Sequence, residues 1–315
     1  MRLRTFFVLV LVFVLPLLAV SARADGVLGP DLVTFAVLGA STVTNTNPAT
    51  NLPLGPTTIT GNVGDWATST GANAVTGLLA TQVSGTIFQG AAPGTSTQAK
   101  AQDQLDTALT LLGGLKTTGA PISGGVLDGL TLGQGVYALS AASGNGGFNL
   151  STNTGVLTLD ANHQTNPFWV FQASSTLITG SGSVVQFINT PALGFNPGVF
   201  WEVGSSATLG TDSIFLGNIG AEISVGLNTR AKIGCGSALA DTGAVTLDTN
   251  TISTGCNGSL SVVTGPGGTP VVIGPGGTPL PTPEPGTFAL LSFGLLAMVF
   301  LTSRKSHVSP LSPSC

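Results

Sequence analysis

Charge is what this chain of 315 residues has least of: nine Lys and Arg and thirteen Asp and Glu, together 7%, where an average soluble protein carries about 25%. Between Asp25 and Gly265 the only cations are Lys100, Lys116, Arg230 and Lys232. So sparse a positive surface argues against nucleic acid and anionic lipid as partners, since both are held by clustered Lys and Arg. Histidine is scarcer still: His163 stands alone in the central region and His307 lies in the tail. A zinc site needs three or four convergent ligands, so no metal is expected, nor any other cofactor. HExxH, GxSxG, GxxxxGK and the calcium-binding nonapeptide are all missing, which removes the chemistry each would carry. Carboxylates remain, at Asp160, Glu202, Asp212, Glu222 and Asp248. Glycoside cleavage needs two carboxyl groups about 5–9.5 Å apart, and the spacing here shows no convergence. The chain reads as a non-enzyme.

Cysteine is limited to three residues. Cys235 and Cys256 lie in the central region and are expected to form a disulfide outside the cytoplasm, closing a loop worth on the order of 3 kcal/mol. Two free thiols, or a metal pair lacking further ligands, are the alternatives. Cys315 lies in the tail.

Glycine is abundant instead, at 45 residues, and Ser, Thr and Asn fill the polar positions. Low charge with many β-branched residues and Gly-rich turns points to sheet, because disordered chains are charge-rich and poor in Val and Ile. The ends are organised differently. Residues 1–24 place Arg2 and Arg4 before an apolar run from Phe6 to Val20 and end on Ala22-Arg23-Ala24, the layout of a secretory signal peptide, with an uncleaved anchor as the alternative. At the other end Pro283-Glu284-Pro285 precedes an apolar stretch from Thr287 to Leu301 and then Arg304 and Lys305. Residues 283–315 resemble a PEP-CTERM sorting segment with a short transmembrane helix. That resemblance implies an envelope sorting protease as partner; a plain C-terminal membrane anchor is the alternative. Either way the protein is expected to be exported, and to be secreted or held at the outer envelope. Residues 263–282 repeat Gly-Pro-Gly-Gly-Thr-Pro nine positions apart and read as a flexible linker.

This leaves one domain, residues 25–262, in which strand-like pieces recur between turn residues. They are 34–38, 57–60, 135–139, 156–159, 168–171, 183–188, 199–203, 213–216 and 245–247, a pattern of sandwich, barrel or solenoid. Internal echoes favour stacked coils. Thr154-Gly155-Val156-Leu157-Thr158-Leu159-Asp160 matches Thr242-Gly243-Ala244-Val245-Thr246-Leu247-Asp248 at five of seven positions. Phe171-Gln172, Ser174-Ser175 and Thr176-Leu177 are echoed by Trp201-Glu202, Ser205-Ser206 and Thr208-Leu209. One segment departs from this pattern. Thr95 to Leu112 carries a capping-box spacing at Thr95 and Gln98, a stripe of Ala101, Leu105, Ala108 and Leu112, and a Gly113-Gly114 stop, predicting a single amphipathic helix. Its apolar stripe needs a sheet flank to cover.

In order along the chain stand Phe35-Ala36-Val37-Leu38-Gly39-Ala40, Thr57 to Gly64, the Ala/Gln/Leu helix, Leu130-Thr131-Leu132 with Gly135-Val136-Tyr137, Val199 to Thr211, Phe215 to Ile219, and Gly243 to Asp248. In these motifs the chain resembles the ice-binding-like (DUF3494) proteins, over roughly Leu32 to Ser253. Glu202 departs from the family, which often has Gln there. The resemblance implies a right-handed β-solenoid of roughly triangular section, one long α-helix packed alongside, and binding to ice through a flat face.

Such a face has a physical rationale. Strands stack about 4.8 Å apart, and threonine offers a methyl that orders water beside a hydroxyl that holds one. Alternation along the strands places Thr158 and Thr246 outward, as it does Thr58 and Thr60 around an inward Ile59. Thr179, Ser181, Thr208 and Thr211 are further candidates. Thr70 and Asn73 belong to Thr70-Gly71-Ala72-Asn73, which resembles a pattern seen on some family members. Which of three faces carries the site is not given by sequence. The reading is a monomeric extracellular ice-binding protein; a structural or adhesive protein of the cell surface or exopolysaccharide matrix is the alternative.

Overall fold

The computed structural model describes residues 26–47, 55–66, 75–89, 95–139, 146–151, 155–258, 260–264 and 270–273. Strands of two to six residues dominate, most alternating inward and outward side chains, as in Val43–Asn45, Ala207–Leu209 and Val245–Leu247. Chain segments this short cannot hold an isolated sheet together, so each strand is stabilised by in-register neighbours on the coils above and below. Three sheets result, of eight, seven and seven strands, and every registered pair is parallel, for example Phe168–Ala173 on Gly198–Val203. Successive strands along the chain belong to successive sheets, which is a three-sided β-solenoid with a helix beside it.

The order of the coils is not the order of the chain. In the eight-stranded sheet Phe35–Gly39 pairs with Ala238–Ala240 on one side and with Asn62–Asp65 on the other. The chain therefore begins beside its own last coil and builds outward through Asn62–Asp65 to Ile87–Phe88. It then passes through the long helix and resumes at Gly135–Ala138, the opposite edge of the same sheet. Five coils return from there to meet the first. The helix, α1 (Thr97–Gly113), is about 25 Å long against a sheet about 34 Å across. It lies over the eight-stranded sheet: Leu105, Ala108, Leu109 and Leu112 are buried with Phe35, Leu38, Val136, Phe168, Val170, Phe200 and Leu239. Its N-cap is Ser96, whose Oγ accepts a hydrogen bond from the Ala99 N–H at 3.3 Å. The capping spacing at Thr95 and Gln98 is therefore not the one used. Gln98 is buried instead.

Inside, aromatic side chains stack from coil to coil. Tyr137, Phe171 and Trp201 occupy one register column, and Phe171 lies parallel to Trp201 with ring centroids 3.9 Å apart. The buried indoles of Trp169 and Trp201 donate to the carbonyls of Leu132 and Leu216, each at 3.0 Å. Corners repeat in register too. Gly236 has φ 141°, and a Cβ there would come within 2.0 Å of the Gly217 carbonyl oxygen, so this turn accepts only glycine. The junction between first and last coil is tied by a buried polar set: Thr57 Oγ1 donates to Asn45 Oδ1 at 2.9 Å and accepts from the Asn250 N–H at 3.2 Å. Cys235 and Cys256 are disulfide-bonded, with Cα atoms 5.3 Å apart, and the loop they close contains one strand of each sheet. The expected spacer is not featureless: Ser261–Thr264 and Pro270–Ile273 pair in a small sheet of their own, in keeping with their β-branched residues.

Two sequence echoes behave differently. Phe171-Gln172 and Trp201-Glu202 are true register partners. The Val156–Asp160 and Val245–Leu247 segments lie on different sheets, so they share local alternation and not a position in the repeat. The helix seam gives a test. Leu105→Ala is expected to cost about 2–5 kcal/mol, read as a lower midpoint in chemical denaturation.

Candidate functional site

Of the three outer faces, the eight-stranded one is covered by α1. The two seven-stranded faces are open, and their outward columns differ. One runs Thr58, Thr251, Lys232, Ile214, Val184, Val156 in register. A second column on that face includes Thr60 beside Ser253 and Thr131, Thr158 and Gln186 in sequence. It thus mixes a cation, an amide and bulky alkyl groups. The other face runs Thr76, Thr44, Thr246, Gly226, Thr208, Ile178, Asn149, with no charged residue. Hydroxyls on adjacent rungs approach each other, Thr76 Oγ1 to Thr44 Oγ1 being 3.4 Å. We call this the threonine face.

Charge gathers at the edges of this face. At one corner the Arg230 guanidinium donates to both carboxylate oxygens of Asp212, which holds the Asp212 carboxyl below its usual range. Asp248 accepts from Thr229 Oγ1 at 2.6 Å. A second group of carboxylates lines the seam between α1 and its sheet. Burial, then the neighbouring Glu222, pushes the Glu202 carboxyl up from 4.5 to about 7. Burial, then Asp241 and Asp106, raises Glu222. Glu202 sits near Gly113, where a Cβ would lie 3.7 Å from its carboxyl carbon, against the negative end of the helix dipole. One rung away Gln172 donates to the Leu112, Gly113 and Leu115 carbonyls, a role that only a protonated Glu202 can imitate. Glu202 and Glu222 are thus near neighbours, with Glu202 packed at the C-terminal end of α1.

The sequence candidates divide among these places. Thr208 and Thr246 stand on the threonine face. Thr58, Thr60 and Thr158 stand on the mixed face. Ser181 and Thr211 lie in the turns between the two faces. Thr179 points inward: it is 4% exposed, and its Oγ1 accepts from the Gly210 N–H at 2.9 Å. The sequence pairing of Leu177 with Leu209 is two residues out. Leu177 pairs with Ala207 and Ile178 with Thr208, so Thr179 falls opposite Leu209 in the interior. Thr70, Asn73 and Pro283-Glu284-Pro285 lie outside the described residues. Sequence reasoning missed Thr44 and Thr76. The signal for the first was the alternation Thr42-Val43-Thr44-Asn45-Thr46; Thr76 shows only through its pairing with Thr44. Among the described residues no group of three metal-ligating side chains converges. Nor is any helix there long and apolar enough to cross a membrane; the apolar stretch 287–301 lies outside them.

Residues 37–253 match the model of the ice-binding-like family. The chain belongs to that family. Residues 281–305 match the PEP-CTERM protein-sorting motif. An ice-binding protein of Nostoc sp. (strain HG1) is 44% identical over 224 residues, covering 70% of this chain and 72% of that one. The crystal structure of an ice-binding protein from the Antarctic ascomycete Antarctomyces psychrotrophicus superposes with a TM-score of 0.55 and 33% identity, covering 71% of this chain and 95% of that one. A glycosylated ice-binding protein from an Arctic yeast, at 21% identity, 74% and 94% coverage and a TM-score of 0.58, shares the fold.

The raised Glu202 carboxyl yields a prediction. A carboxyl whose folded pKa is raised stabilises the protein fully below its unfolded value and loses that contribution as pH rises through the folded one. Native stability should therefore decline between about pH 4.5 and about pH 7. Glu202→Gln should remove part of this decline, raising stability at pH 8 by about 1 kcal/mol, after discounting for solvent screening, with little gain at pH 4. Thermal melts across that range measure it.

Proposed function

We propose that this protein is a non-catalytic, monomeric ice-binding protein that acts outside the cytoplasm through its threonine face. The observation that carries the reading is the uncharged register column with Thr76, Thr44, Thr246 and Thr208 on a parallel sheet. Backbone pairing spaces those side chains about 4.8 Å apart and stops them from moving independently. Each threonine presents a methyl and a hydroxyl together, so water next to the face is ordered before ice arrives and can be shared with the lattice. On the mixed face Lys232 and the alkyl groups of Ile214 and Val184 would impose a different hydration on their rungs.

Of the earlier candidates Thr208 and Thr246 belong to this surface, Ser181 and Thr211 border it, and Thr44 and Thr76 join it. The sorting motif supports passage to the envelope, where a sorting protease processes the C-terminal segment or a short apolar helix anchors it. An exopolysaccharide matrix is the surroundings in which a protein so delivered would act.

Replacing an outward threonine by a bulky ring breaks planarity without touching the core. Thr246→Tyr is expected to weaken recrystallisation inhibition about tenfold or more, the equivalent of about 1.4 kcal/mol or more. Thr158→Tyr on the mixed face should leave it unchanged. The reverse ranking in a grain-growth assay, with both variants folded by circular dichroism, would remove the threonine face from the proposal.

A further inference from the structure

We infer that Gly226 limits adhesion to ice by dividing the threonine face into two unequal blocks, with the stronger block centred on Thr44; this rests on the reading of that face given above. On one side of the glycine three threonines occupy successive rungs, Thr246, Thr44 and Thr76. The middle rung is the widest. Thr42 and Thr46 are exposed and flank Thr44 by two residues each, the spacing that returns a side chain to the same side of an extended chain. On the other side Thr208 stands alone, followed by Ile178, an aliphatic side chain 46% exposed.

Gly226 itself supplies neither a methyl nor a hydroxyl. Thr246 and Thr208 are consequently two rungs apart, about 9.6 Å, and water between them meets only peptide. That one rung without a side chain separates the blocks. The backbone does not demand this glycine. Its φ lies outside the left-handed region, and a Cβ would find nothing nearer than the Ala207 carbonyl oxygen at 4.0 Å. That sets it apart from Gly236, which the corner requires. A threonine at 226 would complete five consecutive rungs, from Thr76 to Thr208.

The test compares Gly226→Thr, Gly226→Ser, Thr44→Tyr and Thr208→Tyr in the full chain, measuring thermal hysteresis at equal concentration and melting by circular dichroism. Gly226→Thr is expected to raise hysteresis about twofold or more and Gly226→Ser to raise it less; Thr44→Tyr should lower it about tenfold, and Thr208→Tyr less than about threefold. The serine variant carries the test if the threonine variant does not fold. A folded variant at 226 with unchanged hysteresis overturns the inference, as does a Thr208→Tyr loss equal to that of Thr44→Tyr; both leave the threonine face standing. If neither tyrosine has any effect, the face is not the site and both readings fall together.

Discussion

Parallel backbone hydrogen bonding between coils, one rung about every 4.8 Å, is the constraint from which the rest of this molecule follows. It sets the aromatic column of Tyr137, Phe171 and Trp201 inside and the threonine column outside in the same register. It also makes each corner repeat, so that Gly236 must lie over Gly217. A side chain in such an array has little freedom beyond its own rotamer, because its backbone is shared with two neighbours. Order on the surface is therefore obtained from the core, at no further entropic cost to the exposed residues.

The rule has a vulnerable point where chain order and coil order part. The first coils dock on the last one, so the run Thr76–Thr44–Thr246 crosses a junction between segments about two hundred residues apart. That junction is held by the Asn45, Thr57 and Asn250 set, by backbone bonds such as Thr46 N–H to Leu247 O, and on the last-coil side by the Cys235–Cys256 bridge. A long-range contact of this kind costs loop-closure entropy during folding. The helix carries the chain back across the covered sheet and so lets the opposite edge begin. Charge is kept away from the open threonine column: Asp212 and Arg230 neutralise each other at a corner, and the carboxylates of Glu202 and Glu222 lie along the helix seam.

Much of the architecture was legible in local patterns. The alternation around Ile59, Leu157 and Leu159 placed those residues inside, as observed, and the stripe on α1 named its buried side. Motif order pointed to the family because those motifs are the corners and core positions that stacking constrains. The candidate surface was read less well. Thr179 stands two residues from the buried Leu177, and side chains two apart on a strand share a side, so strict alternation already puts it in the core. Thr44 lies in an alternating run, Thr42-Val43-Thr44-Asn45-Thr46, that was not among the strand-like pieces read from the sequence.

From sequence alone came the elements, the C-terminal sorting motif, the weak charge and the class of fold, since each depends on composition or on neighbours a few residues away. Tertiary structure alone decided which threonines share a face. Thr58 and Thr44 belong to adjoining stretches of chain yet look in different directions, whereas Thr44 and Thr246 stand side by side. Face membership is a property of how coils wind and dock, and the docking of first coil on last is a contact between distant segments that no local pattern encodes.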